Sequence, residues 1–135
     1  MPLTRVIHLA LIVAFIIAFL HSVAVAFYLY SFYWWFDIPL HFLGGFCAGL
    51  ISLYFYSYFH QRKERTMTSF RVLVVVIGSV MTVGFVWEFF EYFAGIASNA
   101  LGNYTFDTAK DLIMDMLGGY ASYLYFIARG IHKNL

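Results

Sequence analysis

Four apolar stretches, approximately Val6 to Tyr30, Ile38 to Phe59, Val72 to Ala97 and Thr108 to Ala128, make up most of this chain. Each is long enough to cross a hydrocarbon core of about 30 Å, which takes about 20 helical residues. Hydrophobic residues at 63% and charged residues at 11% lie far outside the soluble range of about 45–50% and about 25%. The expected fold is therefore all-α: a four-helix transmembrane bundle forming a single domain over residues 1–135. The first stretch has an alternative reading as a secretory signal. Arg5 precedes the run and Ala24-Val25-Ala26 has the small-x-small form of a cleavage site, although the run is long for a signal segment.

Net charge is +1, which provides no basic field for nucleic acid, so the distribution of charge carries the information. Cytoplasmic loops of membrane proteins hold the excess of Lys and Arg. Arg5, Arg62, Lys63, Arg65, Arg71, Arg129 and Lys133 all fall on one side of a four-span layout, and Lys110 alone falls on the other. Both termini and the QRKER loop are thus expected in the cytoplasm, with the protein in the cell (inner or plasma) membrane. Tyr28, Tyr30, Tyr33, Trp34 and Trp35 then form an outer aromatic belt, the ordinary reason for such residues at that depth. The single cysteine, Cys47, lies in an apolar run and reads as a buried free thiol.

Six of the seven acidic residues fall outside the cytoplasmic loop, which holds only Glu64. At about 1.5 Å of rise per helical residue, Glu88 lies about 25 Å above Arg71 and Glu91 about one turn higher. His21 reaches a similar height on the first helix. From the opposite end, Asp37 and Asp107 begin the second and fourth helices, His41 and Asp111 follow about one turn in, and Asp115 about two. Asp37 and His41 are spaced i, i+4; Glu88 and Glu91 i, i+3; Asp107, Asp111 and Asp115 i, i+4, i+8. Each set therefore shares one helix face. Helix capping accounts for acids at positions such as Asp37 and Asp107. It does not account for Glu88, Glu91 or Asp115, which lie inside their helices.

An ionised side chain near the centre of a spanning helix costs about 2.5–3.5 kcal/mol even on the gentlest insertion scale. Several acids at one depth need compensation. Lys110 neighbours Asp111 without sharing its helix face, so the expected partners are a metal ion, shared protons or a cationic substrate, with purely structural hydrogen bonding as a further option. The set His41, Glu88, Glu91, Asp111 and Asp115, with His21, Asp37 and Asp107 as a possible additional polar group, offers oxygen and imidazole ligands. Such a set suits a divalent ion of the Mg, Mn, Zn or Fe class.

DIPLHFLGGF at 37–46 and DLIMDMLGGY at 111–120 share the pattern D-x-x-x-[HD]-x-L-G-G-[FY]. The chain therefore reads as two parallel helical-hairpin repeats, about 1–60 and 70–133, in the manner of membrane proteins with a twofold axis along the membrane normal. Asp37 would oppose Asp111, and His41 would oppose Asp115. Gly44, Gly45, Gly49, Gly118 and Gly119 offer small surfaces for close approach of the second and fourth helices.

The ordered motifs Asp37 to Phe42 (D-x-x-x-H-F), Glu88 to Glu91 (E-x-x-E) and Asp111 to Gly118 (D-x-x-x-D-x-x-G) resemble those of the VanZ-like membrane proteins. They are also similar to YjdF-like proteins, whose last helix has a comparable Asp-Thr and Asp-x-x-x-Asp pattern, here Asp107-Thr108 and Asp111 to Asp115. The resemblance covers about residues 37 to 120. VanZ-like patterns have glutamine where Glu91 stands and asparagine where Asp115 stands, so the extra acid here favours cation binding. The resemblance implies a small multispan protein of the cell envelope, linked in some members to glycopeptide-antibiotic tolerance, and brings no established reaction with it.

Three functions fit these residues. An enzyme would use metal at the outer leaflet on a lipid phosphate or lipid-linked envelope precursor, with a spare carboxylate or His21 as general base. A proton or divalent-cation transporter would use the same acids as a relay, but the inner half of the spans offers mainly Ser52, Ser57, Ser79 and Thr82, and no ionisable residue before His8 and His60 at the inner boundary. A non-catalytic assembly protein would use the cluster to pin its helices. Membrane lipids are the expected partners, with a homo-oligomer as an option for so small a bundle.

Overall fold

Five helices form the computed structural model, which describes residues 2–61, 68–94 and 104–130. They are α1 (Pro2–Ala26), α2 (Leu29–Phe32), α3 (Asp37–Gln61), α4 (Ser69–Ala94) and α5 (Tyr104–Ala128). Among the described residues there is no strand. The QRKER loop beyond Gln61, most of the SNALGNYTFD loop and Lys133 lie outside the described residues.

Among the described residues three helices are long and apolar enough to cross a membrane: Leu3–Ala26, Asp37–His60 and Ser69–Ala94, with mean hydropathies of 2.7, 1.6 and 2.1. At 25 residues α5 matches α1 and α3 in length, but its first half carries Asp107, Lys110, Asp111 and Asp115. By composition it therefore does not rank with the other three. The first apolar stretch is not one continuous helix to Tyr30. Tyr28 adopts φ 55° and ψ 33°, a left-handed conformation that no α-helix continues through, so α1 ends at Ala26 and the short α2 follows.

α3 is the central element. It packs most extensively against α5 and also against α1 and α4, and α4 packs on α5 as well. The α3–α5 seam depends on missing side chains. A Cβ at Gly45 would overlap the backbone carbonyl of Asp115, one at Gly118 would overlap that of Phe42, and one at Gly49 would overlap the Ser122 hydroxyl. The two backbones therefore meet directly, as small residues permit in bilayers, where packing replaces the hydrophobic effect as the driving force. From Asp37 and Asp111 through Gly45 and Asp115 to Gly49 and Ser122 the contacts advance in the same sense along both helices, so α3 and α5 run parallel.

The apolar core joins Val6, Ala10 and Val13 of α1 to Cys47, Leu50 and Leu53 of α3, with Val72, Val76 and Val80 of α4 and Phe126 of α5. Cys47 is a buried free thiol whose Sγ–H donates to the Ala10 carbonyl at 3.4 Å. On α4 the buried residues recur every four positions, at Val72, Val76, Val80, Gly84 and Glu88. The stripe on α5 begins with Asp107, Asp111 and Asp115 and ends with Ser122 and Phe126. In α4 and α5 one buried face is therefore apolar at one end of the bundle and acidic at the other. Opposite faces expose Leu11, Phe15 and Phe19 on α1 and Phe85, Phe89 and Phe93 on α4, surfaces that a membrane protein gives to lipid.

Candidate functional site

The acidic end of the bundle is where α3 and α5 begin and α4 finishes. Asp37 opens α3, and the i, i+4 spacing sets His41 above the same face one turn on. His41 Nε2 stands 3.6 Å from Asp37 Oδ2 and 3.9 Å from Asp111 Oδ2 of α5. Ligand atoms of Asp37, His41 and Asp111 all lie within 4.8 Å of one another, a grouping able to hold a metal ion. His41 is 6% exposed and Asp111 2%, so the group is closed off within the protein, with Asp37 only partly buried at its edge.

Asp115 faces the other side of the imidazole, its Oδ1 3.4 Å from His41 Nδ1. Gly84 makes room for it and Gly44 lines it. A Cβ on Gly84 of α4 would stand 2.7 Å from Asp115 Oδ2, and one on Gly44 of α3 would stand 3.8 Å from Oδ1. The ring of His41 is thus set between three carboxylates from two helices.

Lys110 corrects the expectation that no basic side chain reaches these acids. Its ammonium donates to Asp107 Oδ1 at 2.7 Å and stands 3.2 Å from Asp111 Oδ1. Adjacent residues on a helix point in different directions, but the four-carbon stem of lysine bends its charge back across the turn. Asp107 is not the cap itself: α5 begins at Tyr104, so Asp107 lies in the first turn of the helix, where its charge still meets the helix dipole favourably, and it serves as the main anchor of Lys110.

The paired glutamates of α4 are held separately. Glu88 is 5% exposed, and its Oε2 accepts a hydrogen bond from Thr108 Oγ1 of α5 at 2.7 Å. Glu91 Oε1 accepts the indole N–H of Trp87, one turn earlier on its own helix, at 2.8 Å. Neither belongs to the close group of Asp37, His41 and Asp111. His21 is exposed, and its Nδ1 lies 2.8 Å from the Tyr30 hydroxyl. Tyr30 is on α2, beyond the span of α1. Burial, with the Asp37 and Glu91 charges adding to it, pushes its phenol up to about 12, so at neutral pH it is a protonated donor beside the acids.

Reading the sequence missed Lys110, Thr108, Trp87 and Tyr30 as partners. The i, i+3 step from Asp107 to Lys110 and the i, i+4 step from Trp87 to Glu91 were available signals. Nothing in local spacing joins Thr108 to Glu88, twenty residues away.

A family model described as a predicted membrane protein (DUF2238) matches residues 1–132. No curated protein matches the chain, and no solved structure does.

Proposed function

The chain belongs to the family of predicted membrane proteins (DUF2238), and we propose that it is a four-span member holding one divalent metal ion on Asp37, His41 and Asp111. One observation carries this reading. His41 Nε2 faces two carboxylate oxygens at 3.6 and 3.9 Å, separations longer than a hydrogen bond of about 2.7–3.2 Å. Ligands each bonded at about 2.0–2.2 Å to a common ion keep mutual distances of about 3–4 Å. Charge supports it too. Asp37, Glu88, Glu91, Asp107, Asp111 and Asp115 crowd this end, against Lys110 and the imidazole of His41, and a divalent ion offsets part of that excess. Elemental mass spectrometry of protein purified without chelator is expected to find about one Mg, Mn, Zn or Fe ion per chain. Background metal with an unchanged melting temperature in chelator supports the competing reading, in which His41 and the carboxylates share protons.

We further propose that the site faces the outer leaflet, with both termini and the basic loop inside. The bias of seven basic residues to one side supports this orientation. Cysteine placed at Asn103 is expected to react with an impermeant thiol reagent added to intact cells, and cysteine at Lys63 is not. The opposite pattern defeats the orientation.

At that depth the site is within reach of lipid phosphates and lipid-linked envelope precursors, and a metal there supplies Lewis acidity toward a phosphoryl oxygen. Glu91 and Glu88, beside the group but outside it, are the carboxylates available as a general base. Transport is the weaker reading, because the α3–α5 backbones meet directly at Gly45 and Gly118 and the Ser122 side chain fills the space at Gly49, which closes the seam between those helices below the acids. The meeting of Asp37 with Asp111 across His41, and of His41 with Asp115, supports two parallel hairpin repeats. The shared motifs support a distant kinship with VanZ-like and YjdF-like proteins.

A further inference from the structure

We infer that Asp115 is a positioning residue: it holds the proton of His41 on Nδ1, turns the Nε2 lone pair toward Asp37 and Asp111, and so selects an ion that accepts nitrogen, of the zinc, iron or manganese class, over magnesium or calcium. The inference deepens the metal-site reading above and rests on it. A neutral imidazole has one N–H donor and one lone pair, and a carboxylate facing one nitrogen decides which is which. Asp115 Oδ1 stands 3.4 Å from Nδ1, longer than a formed hydrogen bond of about 2.7–3.2 Å but the shortest of the three carboxylate approaches to the ring, while Asp37 and Asp111 face Nε2 at 3.6 and 3.9 Å. The two nitrogens point apart across the ring, so the ion that Nε2 meets is not shared with Asp115. A carboxylate accepting the second N–H of a ligating histidine is the usual support of such a ligand.

The cradle of Asp115 favours a fixed role. Gly84 of α4 leaves volume that its carboxylate fills, since a Cβ there would stand 2.7 Å from Oδ2, while a Cβ on Gly44 of α3 would only touch Oδ1 at 3.8 Å. Asp115 is 6% exposed, so its orientation is set by protein rather than by water. With one imidazole nitrogen among the ligands, the site departs from the all-oxygen shells that suit magnesium and calcium and matches the softer divalent ions.

The test uses full-length protein labelled with ¹⁵N-histidine and titrated with zinc chloride or magnesium chloride, with His41→Ala identifying the His41 signals. Zinc-loaded wild type is expected to show metal on Nε2 and a proton on Nδ1, with zinc bound more tightly than magnesium. Asp115→Ala is expected to weaken zinc binding about 10–100-fold. Asp115→Asn, which keeps an acceptor, is expected to fall between the two. Gly84→Ala, which displaces the carboxylate while removing no charge, is expected to weaken zinc binding as well and guards against a fold defect specific to Asp115→Ala. Zinc on Nδ1, or wild-type affinity in Asp115→Ala, overturns the positioning role while leaving the metal site intact. Tighter magnesium than zinc binding overturns the ion class. Uptake of neither ion by wild type overturns the metal-site reading and this inference with it.

Discussion

Purified His41→Ala protein is expected to carry divalent metal only at background, where wild type carries about one ion per chain. His41 is the sole nitrogen ligand of the proposed set, and its ring is the point where Asp37, Asp111 and Asp115 meet. Without it two carboxylates remain, from different helices and with nothing between them. Asp111→Asn is expected to behave similarly, since Asp111 is the most buried acid among the described residues, at 2% exposure, and its Oδ2 faces Nε2. Stability should follow metal content. An ion bound only to the folded state stabilises by about 4 kcal/mol when its free concentration is about 1,000 times Kd. Wild type in excess chelator and His41→Ala without it should therefore melt at similar temperatures, both well below metal-loaded wild type. His21→Ala is the control: its ring bonds Tyr30 and stands outside the close group, so it should keep its metal. Metal retained in His41→Ala, or lost in His21→Ala alone, would refute the assignment of ligands.

Gly45→Ala is expected to be among the most destabilising one-methyl changes in the described residues, and Gly78→Ala among the least. Both glycines lie inside long helices, where alanine is intrinsically better by about 0.5–1 kcal/mol. Surroundings decide the sign. A Cβ at Gly78 meets nothing within 4 Å, so the substitution should be neutral or slightly stabilising. A Cβ at Gly45 overlaps the carbonyl of Asp115, and a backbone cannot rotate away as a side chain can. Overpacking of this kind costs about 1–3 kcal/mol, occasionally more, and the relief available is separation of α3 from α5. That separation also pulls His41 away from Asp111 and Asp115, so metal affinity should fall together with the melting temperature. Unfolding in detergent monitored by circular dichroism, with metal titration alongside, checks both. Equal melting temperatures for the two variants would show that the α3–α5 seam is looser than described.

The sequence by itself determined the helical membrane character, because a bilayer admits a long apolar run with its backbone bonds closed internally and little else. It determined as well which acids share a face. Asp37 with His41, and Asp107 with Asp111 and Asp115, follow from the 3.6-residue turn with no knowledge of neighbours. The small-residue pattern marked α3 and α5 for close approach. The tertiary structure decided what the faces meet. How each helix is rotated and how deeply it is seated against its neighbours set which side-chain tips come within bonding distance. Those rotations depend on overlaps such as Gly45 with Asp115 and Gly118 with Phe42, between residues about seventy positions apart. That is why Glu88 is bonded to Thr108, while Asp37, two helices away in sequence from Asp111, joins it at His41; the bond of Trp87 to Glu91, one turn apart on α4, needs no such packing. Lys110 makes the same point from the other side: its Cα direction was legible, but where its flexible ammonium would settle depended on the charges that folding gathered around it.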